Sequence, residues 1–234
     1  MSDLLELEGV HADIGQHRIL QGVSLRVRPD TVTVLLGRNG AGKTTTMRTI
    51  MGVLRPRRGA IRFDGRPIHE LRPHAIARLG IGYVPEGQGI FATLTVEENL
   101  RVAMLVEDAD SRERMRRVLA LFPDLARFGG AHAGTLSGGQ KQMLAIGRAL
   151  VNPARLLLID EPSKGLAPIV VEHLIDALRA LKAHATVVLV EQNFHMASRL
   201  GDDCYVMDDG RTVHAGPMAA LAADAALKRR YLGI

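Results

Sequence analysis

The chain has no tryptophan, and aromatic residues make up only 3% of its 234 residues, so aliphatic side chains must fill its core. The same scarcity excludes a nucleic-acid platform built on exposed rings that stack bases. A single cysteine, Cys204, excludes an intrachain disulfide and points to a reducing compartment. Its neighbours Gly201, Asp202, Asp203 and Tyr205 bring no second thiol and no histidine, so Cys204 reads as a structural thiol. No run approaches the ~18 apolar residues of a membrane-spanning helix. The opening Met1-Ser2-Asp3-Leu4-Leu5-Glu6 lacks the basic and apolar regions of a secretory signal. The chain is therefore expected in the cytoplasm, and any membrane attachment would come through a partner.

What is present is apolar material for one large domain: 47% of the residues are hydrophobic. The net charge of +5 is spread as scattered arginines, most of which solvate the exterior, and it suits a phosphate ligand or an anionic surface. Short apolar runs alternate with amphipathic helices, which predicts an α/β fold with a mainly parallel sheet. Val32–Leu36, Leu156–Ile159 and Thr186–Val190 are continuously apolar, as strands covered on both faces are. The pairs Asp64-Gly65 and Asp209-Gly210 predict tight hairpins, and so some antiparallel strands. The middle reads as an inserted helical subdomain. Thr95-Val96-Glu97-Glu98 is a capping box opening a helix with Leu100, Ala103 and Met104 on one face. Met115, Val118, Leu119 and Phe122 continue at helical spacing until Pro123.

Three motifs carry chemistry. Gly37-Arg38-Asn39-Gly40-Ala41-Gly42-Lys43-Thr44 is a full G-x-x-x-x-G-K-[ST] phosphate loop between the Val32–Leu36 strand and a helix from Thr45 to Met51. Its glycines let backbone N–H groups approach phosphate oxygens, Lys43 brings a cation to the β and γ phosphates, and Thr44 can ligate Mg²⁺. Thr45 joins this nucleotide-contacting set. Leu156-Leu157-Leu158-Ile159 then delivers Asp160 and Glu161 to the carboxyl end of a strand, where α/β sheets bind ligands. Asp160 would hold Mg²⁺, and Glu161 would orient or deprotonate the water attacking the γ phosphate. Finally, Leu136-Ser137-Gly138-Gly139-Gln140 opens a helix with an S-x-x-Q capping box, a second anion site that one nucleotide in one chain does not need.

In these motifs the chain resembles ABC ATPases, in which the Ser137–Gln140 signature closes on the γ phosphate held by the other subunit of a dimer. The resemblance implies ATP and Mg²⁺ as ligands, a P-loop core over 1–87 and 146–234 with a small antiparallel β subdomain, and a helical subdomain over 88–145, all within one 1–234 domain. Further stretches narrow it: Tyr83-Val84-Pro85-Glu86-Gly87-Gln88-Gly89-Ile90-Phe91, Glu161-Pro162-Ser163-Lys164-Gly165-Leu166-Ala167-Pro168, Leu189-Val190-Glu191-Gln192-Asn193 and the ending Lys228-Arg229-Arg230-Tyr231-Leu232-Gly233. These look like the branched-chain amino-acid importer family, and within it the shorter, F-type ATPase subunit. That family implies a second ATPase subunit, two membrane permeases, a periplasmic solute-binding protein and a place on the cytoplasmic face of the inner membrane. It implies no nucleic-acid partner.

Three positions depart from the general ABC pattern. Glu86 stands where most relatives have the glutamine that senses Mg²⁺ and water, with Gln88 two residues later. Gln192 holds the switch-histidine position, with His195 one helical turn beyond; a glutamine keeps a donor and an acceptor but carries no titrating proton. Ile14 falls where an aromatic side chain stacks on adenine, and offers apolar contact without π stacking. Glu161, Gln192 and Glu86 are thus the catalytic candidates, and Thr44, Asp160 and Glu86 the metal candidates. A chromosome-organising ATPase would share the motifs but carry a long heptad insert or zinc loop, and neither is present. A non-hydrolysing nucleotide sensor would need only Lys43 and the signature, and Glu161 argues against it.

Overall fold

The computed structural model describes residues 3–182 and 185–233; the first two positions of the N-terminal segment, and positions 183, 184 and 234 of the 1–234 unit, lie outside them. Among the described residues, ten strands form two sheets. Strands β1 (Leu5–Ile14), β2 (His17–Val27), β4 (Arg58–Phe63) and β5 (Arg66–Pro67) make an antiparallel sheet in the order β2-β1-β4-β5. The larger sheet contains β3 (Val32–Gly37), β6 (Ile81–Val84), β7 (Leu156–Asp160), β8 (Thr186–Val190), β9 (Asp203–Asp208) and β10 (Arg211–Pro217), in the order β10-β9-β3-β8-β7-β6. All its pairings are parallel except β9 with β10. Both Asp-Gly turns form as two-residue hairpins with left-handed backbone at Asp64, Gly65, Asp209 and Gly210.

Among the described residues, ten α-helices pack around the sheets: α1 (Lys43–Ile50), α2 (Pro73–Arg78), α3 (Val96–Val102), α4 (Ala109–Leu121), α5 (Pro123–Arg127), α6 (Gly138–Leu150), α7 (Pro168–Leu181), α8 (Phe194–Leu200), α9 (Met218–Ala223) and α10 (Ala225–Leu227). A π-helical turn, Lys228–Leu232, follows. The larger sheet is the partition between two cores, and its period-two alternation shows this directly. Leu157, Ile159, Val187 and Leu189 face one core with Leu144 and Ile146 of α6 and Leu174 and Ile175 of α7. Leu156, Leu158, Val188 and Val190 face the other, with Met47 and Ile50 of α1 and Leu5, Leu7 and Val23 of the antiparallel sheet. Burial on both faces explains why these strands lack a polar stripe.

The helical insert differs from expectation in two places. Helix α3 stops at Val102, so Ala103 and Met104 do not continue its face. Asn152 is the reason: its amide donates to the Ala103 carbonyl (2.7 Å), and its oxygen accepts from the Leu105 N–H (2.8 Å). The boundary drawn at 145/146 falls inside α6, which is continuous because it packs at both ends. A Cβ on Gly139 would lie 2.3 Å from Val170 of α7, and one on Gly147 would lie 2.8 Å from Val118 of α4.

Cys204 sits on β9 in the first of these cores, fully buried, and burial with the nearby Asp203 carboxylate pushes its thiol up to about 11. Native protein at pH 8 should therefore leave Cys204 unmodified by a disulfide-exchange reagent, with full reaction after urea is added. Labelling of folded protein at the rate of a free thiol would show that β9 is not held as described.

Candidate functional site

The phosphate loop is shaped by what glycine alone permits. Gly37 ends β3 with φ of 150°, and a Cβ there would lie 2.4 Å from the Met207 carbonyl oxygen. Gly42 N-caps α1 at φ of 100° and brings no side-chain acceptor, so the first N–H groups of α1 remain open to an anion. Lys43 is 4% exposed; its Nζ donates to the carbonyls of Gly37 (2.8 Å) and Arg38 (3.0 Å) and lies 3.6 Å from Glu161 Oε1. Burial lowers its pKa, and Glu161 opposes that shift.

Strand β7 brings the carboxylates to the same edge. Asp160 is fully buried; Thr44 Oγ1 donates to its Oδ1 (3.2 Å) and the Tyr83 hydroxyl donates to its Oδ2 (3.5 Å). Burial raises the Asp160 pKa against the Thr44 hydrogen bond, and desolvation beside Asp160 pushes the Tyr83 phenol up to about 12. A hydroxyl and a carboxylate side by side are the hard oxygen donors that suit Mg²⁺. Glu161 then turns the chain with φ of 48°, a strained region for a non-glycine residue, and this aims its side chain back towards Lys43. The Gln192 amide donates both its hydrogens, to Glu161 Oε1 (2.5 Å) and to Asn39 Oδ1 (2.8 Å).

Ile19, Asn39, Gly40, Gly42, Lys43, Thr44, Thr45, Glu86, Glu161 and Lys164 line one cavity of about 320 Å³. That volume is at the lower end of small-ligand clefts. Glu86 stands at its mouth, paired with Lys164. Arg38 lines a neighbouring hollow with Gln192 and Leu232, and Ala41 is buried beneath the loop. The structure does not bring Ile14 or the signature into this cavity. Ile14 is 46% exposed where β1 turns into β2, and Ile19 supplies the apolar side chain at the cavity instead. Ser137 and Gln140 cap α6 reciprocally, Gly138 is exposed, and Gln140 also donates to Asp124 (3.2 Å). Of the two switch candidates, Gln192 reaches Glu161, whereas His195 is exposed on α8 and meets Glu172 (2.7 Å). Gln88 does not line this cavity and donates to Gln142 of α6 (3.2 Å).

The ABC transporter family profile matches residues 20–164. The chain belongs to that family. This ABC protein is 41% identical to the high-affinity branched-chain amino acid transport ATP-binding protein BraG of Pseudomonas aeruginosa, over 98% of this chain and 100% of that one. It is 35% identical to the probable branched-chain amino acid transport ATP-binding protein LivF of Archaeoglobus fulgidus, covering 99% of both. The lipopolysaccharide export ATP-binding protein LptB of Acidithiobacillus ferridurans shares 32%, over 100% of this chain and 98% of that one. A solved ABC transporter cassette in its ADP conformation superposes with a TM-score of 0.87 at 26% identity, each chain covered in full. ABC ATP-binding domains are ATPases, and so is this one.

One constituent of the ABC site went unnoticed in the sequence. Glu191, 1% exposed at the end of β8, accepts from the Ser163 N–H (3.0 Å), the Ser163 hydroxyl (2.9 Å), the Gln192 N–H (3.1 Å) and the Asn193 N–H (3.0 Å). It binds the loop after β7 to the loop after β8, and so fixes Glu161 against Gln192. Burial raises its pKa, opposed by these four hydrogen bonds. The signal was available, since an acidic residue closing an apolar strand is the pattern that marks Asp160. Glu191→Ala would leave four donors around a void, and the expected loss is about 2–4 kcal/mol in urea unfolding. A loss below about 1 kcal/mol would show that the two loops are held by other contacts.

Proposed function

We propose that this ABC ATPase is the Mg²⁺-dependent motor of an inner-membrane importer of branched-chain amino acids or related amino acids and amides. The observation that carries the reading is the separation of two half-sites. The loop and Glu161 share one cavity, with Asp160 behind it on the Thr44 hydroxyl, while the capped Ser137–Gln140 helix start lies outside. A second ATPase subunit, identical or related, would bring its own Ser137-type signature to the γ phosphate. Such a pair would work with two permeases and a periplasmic solute-binding protein, peripheral to the cytoplasmic membrane face. No helix among the described residues is long and apolar enough to cross a membrane. Residues 88–145 would contact the permeases, supported by the exposed Phe91, Val102, Leu105 and Val106.

In this reading the N–H groups of Gly37 to Thr45 hold the β and γ phosphates, and Lys43 exchanges its carbonyl partners for phosphate oxygens. Thr44 and Asp160, with Glu86 at the mouth, would hold Mg²⁺, which supplies charge neutralisation for the phosphates. Glu161 orients the attacking water and accepts its proton, and Gln192 holds Glu161 by a hydrogen bond without titrating itself. Ile19 lines the cavity itself, and Ile14, exposed at the β1–β2 turn outside it, would cover the adenine face by apolar contact where the nucleotide extends beyond the phosphate loop.

Lys43→Ala should lose nucleotide binding and hydrolysis together. Glu161→Gln should keep ATP binding, slow hydrolysis by ~10²-fold or more, and accumulate as an ATP-bound dimer in size-exclusion chromatography. Normal turnover in either variant would refute the site. Across pH 5.5–8.5, His195→Ala should leave the rate profile unchanged, while Gln192→His should add a limb near about 6.5. Vesicles reconstituted with permeases should take up labelled leucine only with binding protein outside and ATP on the ATPase side; ATP-driven efflux instead would reverse the transport direction.

A further inference from the structure

Lys164 lies three residues after Glu161 on the loop leading to α7. Its N–H donates to the Glu161 carbonyl (3.2 Å), and Gly165 follows in left-handed backbone with φ of 74°. This turn sets the ammonium at the cavity mouth, 2.5 Å from Glu86 Oε1 and 3.7 Å from Glu161 Oε2. Three carboxylates, Asp160, Glu161 and Glu86, thus share the corner with two ammonium groups. Lys43 serves the inner side of Glu161, and Lys164 serves Glu86 and the outer side.

The two lysines do different work. Lys43 is enclosed by the loop's own carbonyls, whereas Lys164 is 59% exposed and free to leave. Glu86 is the carboxylate that stands where the family pattern has an uncharged amide. An added negative charge beside Asp160 would attract a divalent cation strongly even without nucleotide, unless a local cation opposed it. An ammonium at 2.5 Å from Glu86 is such a cation, and its repulsion of Mg²⁺ and its claim on the Glu86 oxygen act in the same direction. We propose that Lys164 is a positioning residue that occupies the metal's place at Glu86 in the nucleotide-free chain, so that Mg²⁺ must displace its ammonium to enter. The inference rests on the Mg²⁺–ATP reading of the cavity.

The test measures how strongly Mg²⁺ tightens binding of a fluorescent ATP analogue, as the ratio of Kd in EDTA to Kd in Mg²⁺. Free ATP carries more negative charge than Mg²⁺–ATP, so a direct attraction between Lys164 and the nucleotide would also move this ratio, and the Glu86→Gln background isolates the part that acts through Glu86. Lys164→Met should raise it on the order of two- to fivefold, the scale of an exposed ion pair. The gain should shrink as salt rises beyond about 0.15 M, where the screening length is about 8 Å. Lys164→Arg should keep the native ratio, and in a Glu86→Gln background Lys164→Met should raise the ratio clearly less than it does in the native background. Thermal unfolding of each variant verifies that it is folded. An unchanged ratio in Lys164→Met, or a gain of equal size without Glu86, overturns the inference. Mg²⁺ with no effect on the native chain would instead strike the metal reading itself, and this inference with it.

Discussion

The parallel register of β3, β8 and β7 is the constraint on which the site depends. Leu35 of β3 lies opposite Val190 of β8, and Val190 lies opposite Asp160 of β7, so the three strands end together at one edge. The phosphate loop leaves the first, the Asp160–Glu161 pair the third, and Glu191 the strand between them. A slip of one residue in any of them would reverse which side chains face each core and move a carboxylate away from Lys43. Apolar burial on both faces makes such a slip costly, and so the precision of a charged site rests on aliphatic packing.

Within that frame the charges are expensive and are kept because each has a partner. Lys43, Asp160, Glu161 and Glu191 are all buried. The carbonyls of Gly37 and Arg38 hold the lysine, Thr44 and Tyr83 serve Asp160, and four donors converge on Glu191. Glu161 differs in kind: one short hydrogen bond from the Gln192 amide (2.5 Å) holds it, its ion contacts at 3.6 and 3.7 Å are longer than hydrogen bonds, and its backbone is strained. Its partners are thus a neutral amide and two lysines at ion-pair distance, and it is the group assigned to the attacking water.

Much of this was legible because the informative patterns are local. A glycine-spaced loop, an apolar run ending in an acid and an S-x-x-Q helix start each specify their own geometry, and each is found on the expected element. The two long strands β1 and β2 were not legible, although they form half of the smaller sheet. In β1 the alternation Leu5, Leu7 breaks at Gly9, where the pairing register shifts between Leu7 and Val10. A period-two signal does not survive that bulge. The end of α3 was hidden for another reason, because the side chain that stops it, Asn152, lies 49 residues from the carbonyl it caps. Glu86 and Lys164 are 78 residues apart, and only the sheet brings them together.

The absence of tryptophan acquires a use once Tyr83 is placed. Ultraviolet emission from this chain must come from its three tyrosines. Tyr205 is engaged with the backbone of Arg26, and Tyr231 lies in the π-helical turn near the carboxyl end. Tyr83 alone touches Asp160. The phenol stays protonated throughout the working pH range, so its emission answers to its carboxylate neighbour rather than to its own titration. The molecule carries a built-in optical probe at the corner where charge changes when the site fills, with no stronger fluorophore to mask it.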